Sequence, residues 1–96
     1  MDYEFKTTFW QDFSIADRFG LAAVKDTFKR AFEEWKNDYE YLTELFIVMN
    51  WKIWEHFDKG NDELAKCYDS LWRITDDYAL THLKGEELSY FYRVTD

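Results

Sequence analysis

The 96-residue chain carries 20 acids against 12 bases, a formal charge of −8, with 47% hydrophobic and 22% aromatic residues and no proline. That length makes one domain over 1–96, able to bury roughly two thirds of the surface its unfolded chain exposes. The composition excludes disorder, and the acid excess excludes nucleic-acid binding through a basic footprint. The charge is uneven: residues 1–36 hold seven acids and six bases, whereas residues 37–96 hold thirteen and six. Solubility is the bland reading of that excess. A basic partner, or mimicry of nucleic acid, is the sharper one.

In chain order, Tyr3, Phe5 and Thr7 alternate with polar residues, as in a short strand. Thr8 to Gln11 reads as a capping box, which predicts a first helix from Thr8 with Phe9, Phe13 and Ala16 on one face and an end at Gly20. A second helix is predicted over 21–36, because Leu21, Val24, Phe28, Ala31, Phe32 and Trp35 recur at helical spacing. A third follows a cap at Asn37 or Asp38 and runs to about Lys59. A fourth runs from Asn61 or Asp62 to about Lys84, its stripe including Leu64, Cys67, Tyr68, Leu71, Thr75 and Ala79. The end, Leu88 to Val94, alternates like a strand but also fits one more helical turn. The fold class is therefore mainly α: a compact single-domain bundle of about four helices, with the termini as short strands or an extra turn.

Chemical motifs are missing. There is no glycine-rich phosphate loop, CxxC, HExxH or GxSxG. His56 and His82 lack the glutamate three residues earlier that a di-iron bundle needs, so they read as satisfied core or boundary histidines. Cys67 lies on an apolar stripe and reads as an inert thiol. Adjacent acids such as Asp76 and Asp77 point about 100° apart on a helix and form no shared-proton dyad by themselves. The expectation is a non-enzyme, with no catalytic residue, cofactor or metal.

The third helix carries the one ambiguity. Projected at about 100° per residue from Leu45, the residues Leu42, Leu45, Phe46, Met49, Ile53, His56 and Phe57 share a sector of about 120°. Ile47, Trp51 and Trp54 form a second apolar stripe on the other side, with Glu44 and Glu55 beside it. Either the chain covers this stripe, the favoured reading because buried helices are apolar all round, or it is an exposed anchor set rimmed by acids. In the second case Ile47, Trp51, Trp54, Glu44 and Glu55 are the candidate interface. Asp69, Asp76 and Asp77 are the candidate acidic face toward a basic target.

The stretches TTFWQDFSIAD, AFEEWK, LTEL, NWKIWEHF and LKGEELSYFY span nearly the whole chain. Together they resemble a family of small acidic proteins encoded by phages and mobile elements of gut bacteria. No activity is assigned to that family, so no site residue is carried over. The resemblance implies a bacterial cytoplasm and an accessory role such as host takeover or anti-defence. A cytoplasmic location also fits the single cysteine and an N-terminus without the plan of a signal peptide. The longest apolar run, LFIVM, is too short to span a bilayer. The expected function is occlusion of a host protein surface by a non-catalytic binding module; the alternative is a homodimer that buries the same aromatic patch.

Overall fold

The structure, a computed structural model, describes residues 3–95, with side chains from residue 8 onward. These residues form five helices: α1 (Tyr3–Asp17), α2 (Leu21–Trp35), α3 (Tyr39–Asp58), α4 (Asp62–His82) and α5 (Glu86–Thr95). The protein is an all-α single-domain bundle of 38 × 22 × 21 Å. α3 and α4, joined by a three-residue turn, are the central antiparallel pair. α1 packs on α2 and α3, α2 also meets α3 and α4, and α5 lies across α3 and α4.

The helix boundaries follow local chemistry. At the start of α3 the Asp38 carboxylate accepts from the backbone N–H groups of Glu40 at 3.1 Å and Tyr41 at 3.3 Å. At its end Gly60, with φ +77, closes a Schellman motif. There Asn61 N–H donates to the His56 carbonyl at 2.8 Å and Gly60 N–H to the Phe57 carbonyl at 3.1 Å. Asn61 precedes α4 but makes no side-chain cap bond there. The motif instead turns its side chain back toward α3.

Two expectations about the ends are corrected. α1 starts at Tyr3, so Thr8 lies inside the helix and is not its N-cap, and the backbone of residues 3–7 is helical rather than a strand. The C-terminal segment takes the helical alternative rather than the strand, and extends it to ten residues. The physical reason is burial. A two-stranded ribbon of chain ends is marginal by itself, whereas helical spacing seats Phe91, with Leu88 packed beside it, against Leu42, Phe46, Ala79 and Leu83. Burying a phenylalanine side chain is worth about 1.5–3 kcal/mol.

The interior has two parts. The larger joins Phe9, Phe13 and Ala16 of α1, Val24 and Phe28 of α2, Leu45, Val48 and Met49 of α3, and Cys67, Tyr68 and Leu71 of α4. The smaller is the cluster under α5. Together they bury five consecutive residues of α3, Leu42 to Phe46, so its N-terminal half is enclosed on every side. Its C-terminal half is not: Trp51, Trp54 and Phe57 are exposed. No helix among the described residues is long and apolar enough to cross a membrane.

Gly60→Ala is expected to cost about 1–2 kcal/mol from the left-handed backbone alone, since a Cβ at this position meets nothing within 4 Å. Asp38→Ala is expected to cost about 1 kcal/mol through loss of the cap. Urea unfolding at unchanged m-value measures both.

Candidate functional site

The second apolar stripe of α3 divides. Ile47 is half-buried and packs against the α5 cluster. Trp51 is 44% exposed, Trp54 58% and Phe57 63%. The favoured expectation of a covered stripe therefore holds only as far as α5 reaches. Phe57, expected in the core sector, instead continues the exposed stripe. Trp54 and Phe57 meet edge to face at 5.9 Å, and Trp51 meets Trp10 of α1 in the same way at 6.0 Å. The surface is thus an aromatic ridge along α3, backed at one end by α1.

Glu44 does not rim this ridge. It is fully buried in the enclosed half of α3. It lies within electrostatic reach of Tyr90 on α5, whose hydroxyl pKa is raised by burial first and by Glu40 and Glu44 next. A helical projection put it beside the stripe but could not foresee that α5 would cover that side. Glu55 is half-buried and pairs with the buried Lys52 and the exposed Lys59. On α4, Asp69 is held by Arg73 at 2.9 Å, Asp77 is exposed, and Asp76 has its pKa raised by burial and by the neighbouring Asp77. Arg73 offsets Asp69, leaving Asp76 and Asp77 as the denser part of that face.

Beneath the ridge lies a polar cluster that the sequence reading missed. Lys52 is 0% exposed. Its ammonium donates to Asp17 Oδ2 at 3.0 Å, to Ser14 Oγ at 2.8 Å and to the Glu55 carboxylate at 3.3–3.4 Å. These three acceptors match the three N–H bonds of an ammonium. The same nitrogen stands 4.1 Å from the centre of the Trp10 ring, a cation–π contact. Asp17 in turn accepts from Tyr68 Oη at 2.5 Å and from His56 Nε2 at 2.8 Å. The other imidazole nitrogen, Nδ1, faces the Asn61 amide at 3.2 Å. With the Asn61 amide as donor, Nδ1 accepts and Nε2–H donates to Asp17. The Tyr68 ring stacks on the imidazole with centroids 5.5 Å apart.

This arrangement holds groups in place. Both His56 nitrogens are engaged by the protein, and the ring is buried. Asp17, Glu55 and His56 also bring ligand atoms within 4.8 Å of one another, a spacing a metal ion can use. The Lys52 ammonium already sits against both carboxylates and is the cation of this cluster. Cys67 is buried, and burial is the main cause that raises its thiol pKa, which fits the inert reading. His82 stacks on Tyr78 at 3.9 Å on an exposed edge.

A signal for the cluster did exist. The projection from Leu45 puts Lys52 at about 340°, between the buried Val48 at about 300° and Leu45, on the edge of the apolar sector. Asp17 likewise follows Phe13 by one turn on the inner face of α1. A charge within a core stripe demands a partner. The pairing of these two, 35 residues apart, was not readable from either helix alone.

Comparison of the chain with protein-family models, with curated proteins and with solved structures returns no match.

Lys52→Met removes the cation between Asp17 and Glu55 and is expected to cost about 3–5 kcal/mol. Adding Asp17→Asn should recover part of that loss, read by urea unfolding. Burial and the Asp17 carboxylate raise the Tyr68 pKa well above its ordinary 10.0. Above pH 10 the unfolded chain gives up this proton while the folded protein keeps it. Stability must then fall with rising pH, by about 1.4 kcal/mol per pH unit from this group. Tyr68→Phe should remove that part of the slope in unfolding curves taken between pH 9 and pH 11.

Proposed function

We propose that this chain is a small, acidic, non-catalytic protein-binding module that occludes the surface of a partner protein. The observation that carries the reading is the exposed ridge of Trp51, Trp54 and Phe57 on α3. Large aromatic rings are costly to leave in water and are the usual anchors of interfaces. The ridge is also braced. Trp10 stands behind Trp51 and is itself held over the Lys52 ammonium, so little ordering cost remains for binding.

The partner is a protein with an apolar pocket in a basic surround. The charge of −8 steers such a surface toward this one, and Asp76 and Asp77 belong to the acidic half of the chain that supplies most of the field. The family resemblance adds a setting: the cytoplasm of a bacterial host, a gene carried by a phage or mobile element, and a host protein as target. Host takeover or anti-defence by occlusion is the role that joins these features. The same net charge opposes burial of the ridge against a second copy.

Trp54→Ala should leave stability within about 0.5 kcal/mol of the parent, because this ring stands mostly in water. Trp51→Ala should cost about 1 kcal/mol through its contact with Trp10. Both should abolish capture of a host protein in pull-downs read by mass spectrometry. Equal capture by parent and Trp54→Ala protein would place the contact surface elsewhere. A concentration-independent monomer in light scattering is expected, and a stable dimer lost in Trp54→Ala would make self-association the function of the ridge.

A further inference from the structure

α1 separates two surfaces. On one side its Trp10 backs the ridge of α3, and on the other it forms a groove with α2 of about 430 Å³. Its floor is apolar: Phe9, Phe13 and Ala16 from α1, with Ala23 and Ala31 from α2. Phe19, 76% exposed, and Ile15 stand in water on its rim. From Phe9 to Ala16 the groove follows about 10 Å of α1, roughly two turns, and Phe19 extends it into the turn that follows. Alanines on facing helices leave space for a third helix to approach, and ridges packing into grooves favour that occupant. A helix also satisfies its own backbone, whereas an extended strand laid on side chains would leave N–H and C=O groups unpaired.

The rim charges select among helices. Asp12 lies on the α1 wall and Glu34 on the α2 wall. The remaining pair, Asp26 and Arg30, bind each other at 3.3 Å. The walls therefore present a carboxylate on each side of an apolar floor. We propose that the α1–α2 groove is a docking site for a basic amphipathic helix of another protein, with an apolar stripe flanked by lysine or arginine. A second copy of this chain does not meet the requirement. Its most basic helix, α2, has Val24 and Phe28 committed to its own core. The proposal is independent of the α3 ridge.

The probe is a fluorescein-labelled amphipathic peptide of about 15 residues, long enough for four helical turns, with leucine on one face and lysine on its flanks. The control carries glutamate in place of lysine. The expected result is saturable binding of the lysine peptide with amide shift changes in α1 and α2. Reversing the rim with Asp12→Lys and Glu34→Lys should weaken it about tenfold or more and give the glutamate peptide measurable affinity. Filling the groove with Ala31→Phe should weaken both, while Trp54→Ala should change neither. No binding of the lysine peptide, shifts confined to other helices, or an unaltered preference after rim reversal would overturn the proposal. So would groove shifts that appear on concentrating the protein alone, which would identify a second copy as the occupant.

Discussion

One carboxylate ties three helices together. Asp17, at the last turn of α1, accepts from Lys52 and His56 on α3 and from Tyr68 on α4. Each donor is buried, so each would cost several kcal/mol, or about 1–3 for a neutral group, if left unpaired. The cluster therefore specifies how α1 sits, more than it adds net stability. Apolar contacts alone, Phe9 and Phe13 against Met49 and Leu71, would tolerate sliding of α1 along the bundle. A lysine that needs three acceptors in fixed directions does not. The α1–α2 groove and the α3 ridge both depend on that placement, because α1 walls the groove on one side and carries Trp10 on the other.

α3 changes character along its length. Its first half is covered all round, by α4 and α2 and by α5, which lies across the outer side. Its second half runs beyond α5 and is covered on one side only. The apolar excess of LFIVMNWKIW thus serves two purposes. Leu45, Phe46, Val48 and Met49 are interior, while Trp51 and Trp54 lie on the open side. The same reasoning accounts for Glu44. A carboxylate that would rim the stripe on an isolated helix is enclosed in the half of α3 that faces Tyr90 of α5, while Trp54 stays exposed.

The turn between α3 and α4 couples backbone to side-chain chemistry. Gly60 permits the left-handed residue, the Schellman bonds follow, and Asn61 is delivered to His56 Nδ1. Asn61, the residue that precedes α4, makes no side-chain cap bond and serves the imidazole instead. That contact, with Asp17 on the other nitrogen, accounts for both ring positions of a buried histidine. Both ring nitrogens of this histidine are taken up by the protein itself.

Local rules determined much of the molecule. Four of the helices, the glycine breaks, the Asp38 cap and the core residues from Phe9 to Leu71 follow from periodicity and capping, which act within a few residues. The helical state of the C-terminal end was beyond them, because seven residues fit two periods equally and only the pocket for Phe91 decides. The status of Ile47, Trp51 and Trp54 was equally open: a projection fixes the angle of a side chain and says nothing about which neighbour stands there. The Asp17–Lys52 pair needed the tertiary structure for the same reason. Each helix by itself displayed a misplaced charge, and only packing α1 against α3 brought the two to 3.0 Å, where each became the reason for the other.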